Sequence, residues 1–208
     1  MTVRHSFAIV FLSLAIFGCA SITKKEKNFS KNGLTISFRS IHYLDNVQNI
    51  KFIYPIILSE KNIRNHLLSL YFQDIVRPRK PRPVFSRVEV DEMAPLFKTV
   101  MRKVKPGKYL HFEYQTREGD TEGQVFATKN KLYWDIFRIN GVAYSNNPLR
   151  IVKPTWKLVR APLQTYQTLL SGTLETVVKN RVIANFKMPF PRQRFRSSSS
   201  KNSSPSRY

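Results

Sequence analysis

Residues 108–116 alternate in polarity, with Tyr109, Leu110, Phe112 and Tyr114 set among polar partners, and two further strand-like runs follow before residue 140. Glu118, Gly119 and Asp120 make a turn, residues 123–128 a second strand, Lys129 and Asn130 another turn, and residues 132–139 a third strand. Turns this short join only antiparallel neighbours, because a parallel crossover needs a dozen or more residues. The pattern predicts an antiparallel meander and excludes a sheet made of regular βαβ units. Asn140 and Gly141 mark a further turn, and Asn146, Asn147 and Pro148 a longer loop.

The chain before the meander reads as helical in two places. Ser59 is a fitting N-cap, and Ile63, Leu67, Leu70 and Tyr71 recur at helical spacing over about three turns. Ser86 and Glu89 have capping-box spacing, with Val90, Met93, Phe97, Val100 and Val104 as the second apolar stripe. Pro95 has no N–H to donate, so it must kink this helix or lie in the first turn of a shorter one capped by Asp91. Lys103 and Lys105 complement the negative pole of the helix, and Pro106 and Gly107 end it. Residues 34–38, 50–58, 155–159 and 177–186 read as strands, the second interrupted by Pro55, while 163–174 fit helix or strand equally. The expected fold class is α+β, an antiparallel β-sheet with two helices packed on one face.

At the N-terminus, Arg4 and His5 precede an apolar run over residues 7–17 and then Gly18, the grammar of a signal peptide over 1–18. The run is well short of the roughly 20 residues that cross a bilayer as a helix. Ile16, Phe17, Gly18 and Cys19 resemble the lipobox of bacterial lipoproteins, with Phe17 where Ala or Ser is usual. That resemblance implies a diacylglycerol thioether on Cys19 and attachment to the membrane through it. Ala20, rather than Asp, then implies delivery to the outer membrane, facing the periplasm. Residues 19–33 read as a lipid-attached flexible tether, 34–190 as one globular domain, and 191–208, rich in Ser and Arg, as a disordered tail. From Ser86 to Asn140, the capped helix followed by a hairpin is similar to that of uncharacterised bacterial envelope lipoproteins, a likeness that brings no activity with it.

Charge narrows the partners. The chain carries 35 Lys and Arg against 13 Asp and Glu, a formal +22, and 42% hydrophobic residues, too many for a disordered polymer. Arg77, Arg79, Lys80, Arg82 and Arg87 cluster around an extended, proline-broken segment over 76–84; Lys98, Arg102, Lys103, Lys105 and Lys108 follow, with a third group at Arg150, Lys153, Lys157 and Arg160. Arg77, Arg79, Lys80, Arg82, Arg87, Lys103, Lys105 and Lys108 are the candidate anion-binding residues, for anionic lipid, lipopolysaccharide or cell-wall polymer.

Catalytic motifs are missing from the sequence. His42, His66 and His111 have no metal-binding spacing, and no glycine loop or nucleophile elbow occurs, so no catalytic residue, metal or cofactor is assigned. The lone cysteine excludes an intramolecular disulfide framework. Glu118, Asp120 and Glu122 are the densest acids, read as solvated turn carboxylates rather than a hydrolase pair or calcium loop. The expected protein is a non-catalytic binding or structural module of the envelope. The alternatives are an envelope hydrolase with dispersed catalytic residues, or a nucleic-acid-binding protein if the signal-peptide reading fails.

Overall fold

The computed structural model describes residues 28–191 except 45, 46, 48, 49, 145–152 and 172. The apolar run, Cys19, most of the tether, the loop at Asn146–Pro148, Arg150 and the tail after 191 lie outside the described residues.

The chain begins with β1 (Asn28–Lys31), and Asn32 and Gly33, both at positive φ, turn it into β2 (Leu34–Ser40). The sheet therefore starts inside the segment expected to be tether. Phe29 supplies the reason: it packs edge-on against Phe38 at 5.6 Å, anchoring a strand that is otherwise polar.

A short 3-10 turn at Ile41–Tyr43 leads into a crossing segment and then α1 (Glu60–Leu68), whose N-cap Ser59 accepts from the Asn62 N–H. This helix is shorter than its apolar stripe implied. Leu70 is buried beyond its end, and Tyr71 already belongs to β3 (Tyr71–Asp74), which a proline-rich connection joins to β4 (Arg82–Pro83). The expected strand over 50–58 reduces to a single bridge from Phe52 to Thr128.

α2 (Arg87–Met101) carries the complete capping box: Ser86 Oγ accepts from the Glu89 N–H, and the Glu89 carboxylate accepts from the Ser86 N–H at 2.6 Å. The helix runs from Arg87 through Pro95 rather than starting after Asp91, so Asp91 is not its cap. Asp91 instead pairs with Arg64 of α1, which also bonds Glu60 at 3.1 Å.

The meander follows as expected, in β5 (Lys108–Thr116), β6 (Gly119–Ala127) and β7 (Lys131–Ile139), with β8 (Val142–Ala143) folded back onto β7. β9 (Trp156–Val159), β10 (Gln164–Ser171) and β11 (Leu174–Asn185) complete the fold, so the ambiguous stretch over 163–174 is strand over 164–171, with β11 opening at Leu174. The main sheet has the order β1-β2-β5-β6-β7-β11-β10, with every pairing antiparallel, and a small antiparallel sheet has the order β4-β3-β9.

The fold is α+β, with both helices on one face of the main sheet. Phe97 of α2 meets Phe112 of β5 at 5.5 Å and Trp134 of β7 at 5.6 Å, while the His66 ring of α1 lies 6.4 Å from the same Trp134. Gly123 makes this packing possible: a Cβ there would stand 2.6 Å from the Asp135 carbonyl and 2.8 Å from the Phe112 ring. The opposite face is covered in part by the crossing segment, where Leu44 joins Tyr109 and Phe126, with Ile50 and Phe52 packed alongside.

Candidate anion-binding surface and the polar row of the sheet

The eight candidate cations divide into two groups at opposite ends of α2, about 21 Å apart at the helical rise per residue. Arg77, Arg79 and Lys80 lie on the β3–β4 connection, Arg82 on β4, and Arg87 at the first turn of α2. All five are exposed. The connection has a defined start, because Asp74 Oδ1 accepts from the Val76 N–H at 2.8 Å and the Arg77 N–H at 3.0 Å, and Gln73 Nε2 donates to the Arg79 carbonyl at 2.8 Å. The Arg77 N–H, chiefly, holds the Asp74 carboxyl below its ordinary range, with the charges of Arg82 and Arg79 adding to it. Arg82 stacks over Phe72 at 4.8 Å and Arg87 over Phe190 at 5.7 Å, contacts that orient a guanidinium without neutralising it.

Lys103, Lys105 and Lys108 form the second group, at the C-terminal end of α2 and the start of β5; Lys103 lies 5.0 Å from the Phe29 ring. Among the described residues, none of the eight candidates approaches a carboxylate oxygen within ion-pair distance. The small sheet adds a member that the linear sequence hides: β9 pairs with β3, and Lys157 stands opposite Gln73, beside the first group. Sequence grouping separated Lys157 from Arg77 because only strand pairing joins them. An open cleft lined by Phe72, Asp74, Arg82, Asn140 and Trp156 borders the same region.

On the face away from the helices, one transverse row of the main sheet is polar yet buried. Register pairs Ser37 with His111, His111 with Gln124, Gln124 with Asp135, and Asp135 with Arg181. Asp135 is 1% exposed and Arg181 3%. Their ion pair is saturated: Arg181 Nε and Nη2 both bond Asp135 Oδ2, Gln124 donates to the same oxygen at 2.9 Å, Asn180 donates to Oδ1 at 2.9 Å, and Arg181 Nη1 donates to Gln167 at 2.8 Å. Breaking such a pair strands a buried charge, so it ties β6, β7, β10 and β11 into one register. A charged Asp135 within the apolar stretch LYWDIF was the available signal, but its partner lies 46 residues further along the chain.

His111 begins a second, smaller cluster. Its Nε2 lies 2.9 Å from Glu122 Oε1 and its Nδ1 4.0 Å from Glu113 Oε1, while Arg138 reaches Glu122 Oε2 at 3.4 Å. Burial pushes the His111 pKa below its ordinary value; the Glu122 bond opposes that push and the Arg39 charge reinforces it. The acids Glu118, Asp120 and Glu122 have separate surroundings: Glu118 accepts from Asn140 at 2.7 Å beside the turn, Asp120 is exposed, and Glu122 faces His111. The three histidines do not gather, since His42 is exposed on the 3-10 turn and His66 is buried in α1.

No known protein family, curated protein or solved structure matches this chain. The domain itself defines the class: an α+β module with a cation-rich edge formed by its small sheet and the N-terminal end of α2.

Proposed function

We propose that this chain is a lipid-anchored protein of the bacterial envelope, held at the outer membrane through Cys19 and facing the periplasm. Its domain acts as a binding module for anionic lipid, lipopolysaccharide or cell-wall polymer. The observation that carries the reading is the set Arg77, Arg79, Lys80 and Arg82, exposed on and beside one structured connection, with no carboxylate in ion-pair contact among the described residues. Fixed cations without internal partners are free to exchange counterions for a polyanion. The lipobox-like Cys19 supplies the compartment in which those polyanions are lipids and wall polymers rather than nucleic acid. One acyl chain holds only marginally, and the two or three carried by a bacterial lipoprotein anchor stably.

Two measurements test this. Mass spectrometry of the mature protein from the membrane fraction is expected to find an acylated N-terminal Cys19, and Cys19→Ala is expected to leave that fraction. Co-sedimentation with vesicles of phosphatidylglycerol and phosphatidylcholine is expected to exceed that with phosphatidylcholine alone, and to fall at least tenfold when Arg77, Arg79, Lys80 and Arg82 are all replaced by Ser. An intact Met1, or equal binding to both kinds of vesicle, overturns the reading.

A further inference from the structure

We propose that His111, Glu113 and Glu122 form a binding site for one divalent d-block cation, for which zinc is the best chemical match. One nitrogen or oxygen from each of the three residues lies within 4.8 Å of the others. Their positions follow from the sheet and need no chance encounter of loops. Glu113 and Glu122 are direct cross-strand partners on β5 and β6, and His111 lies two residues before Glu113, on the same face.

The donor set has a chemical direction. An imidazole with two carboxylates is borderline ligation that suits zinc, and three protein ligands leave a coordination position for water. Calcium and magnesium, which take oxygen ligands almost exclusively, match it less well. The ring is nine-tenths buried or more, at 3% exposed, so its orientation is set by packing before any ion arrives. Arg138 engages Glu122 through Oε2 and leaves Oε1 turned to the ring, an outer contact that orients the ligand.

Donors around a tetrahedral zinc stand about 3.4 Å apart at ordinary bond lengths. The existing span needs to close by somewhat more than an ångström, and Glu113 can supply that movement because its side chain is 55% exposed on a strand surface. Glu122 Oε1 already faces Nε2 at 2.9 Å, so the ion takes that nitrogen, and Glu113, which faces Nδ1, is the ligand that swings round to it. The two carboxylates meet at this histidine against the charges of Arg138 and Arg39, which stand beside the same cluster.

The test uses the full chain and zinc chloride, read by isothermal titration calorimetry and by thermal melting. Expected are one zinc per chain and a melting temperature raised by about 5 °C or more at a hundredfold excess over Kd. Glu113→Gln is expected to weaken binding at least tenfold with an unchanged circular dichroism spectrum, since its side chain is 55% exposed and, among the described residues, its one ionic contact is His111. His111→Gln should abolish binding, and His42→Asn should leave it intact. The proposal is overturned if no saturable binding occurs, if binding survives Glu113→Gln undiminished, or if it is lost in His42→Asn or Cys19→Ala, which would place the ion elsewhere.

Discussion

His66 lies fully buried on α1, with Nε2 donating to the Phe186 carbonyl at 3.1 Å and Nδ1 without a hydrogen-bond partner among the described residues. Burial lowers its pKa from 6.5 to about 4, against the opposing effect of the Phe186 and Asn185 carbonyls. The folded ring therefore stays neutral over a range in which the unfolded chain takes up a proton. Above pH 6.5 neither state is protonated at this position and His66 adds no pH dependence. As pH falls from 6.5 toward 4 the unfolded state gains the proton first, and stability is lost by up to about 3 kcal/mol. Urea denaturation at pH 7, 5.5 and 4 is expected to show this loss in the wild type and a slope shallower by one proton in His66→Gln, which keeps a donor for Phe186. Parallel pH slopes for the two proteins would remove His66 as the cause.

Among the elements, α2 shows how local information becomes structure. Ser86, Glu89 and the stripe from Val90 to Val100 lie within one helix and interact over three or four residues, so cap, face and boundary are all legible in the sequence. Ser86→Ala removes the acceptor for the Glu89 N–H and is expected to cost about 1 kcal/mol in chemical denaturation, with an unchanged folded-state spectrum. A loss below a tenth of that would mean that Glu89 alone satisfies the helix start. The meander was legible for the same reason, its turns being two or three residues long.

The elements that are not legible in the sequence depend on distant partners. Leu70 and Tyr71 continue the stripe of α1, yet Tyr71 opens β3 and pairs with Val159, far along the chain. Residues 164–171 have no single period, and they become strand through pairing with β11. At the site level, the exposed cations were legible by composition, whereas their assembly with Lys157, the Asp135–Arg181 pair and the His111 cluster require the sheet register.

At the scale of the whole molecule, charge is distributed unevenly, and its distribution yields a comparison between the two ends of α2. The first group combines Arg77, Arg79, Lys80, Arg82 and Arg87 with Lys157 beside them; the second is the smaller set Lys103, Lys105 and Lys108. Screening acts over about 8 to 10 Å at physiological ionic strength, well below the separation of the groups, so each presents its own field rather than sharing one. Binding through the first group predicts that anionic-vesicle affinity falls steeply with salt. Replacing Arg77, Arg79, Lys80 and Arg82 with Ser should flatten that dependence much more than replacing Lys103, Lys105 and Lys108 with Ser. The comparison is fair because six of these seven residues are exposed, Lys108 is half-buried, and none forms an ion pair among the described residues that its loss would break. Co-sedimentation between 50 mM and 300 mM sodium chloride reads the two slopes directly. Flattening in proportion to the four and three charges removed would mean that affinity follows net charge alone, and the structured β3–β4 connection would lose its special place in binding.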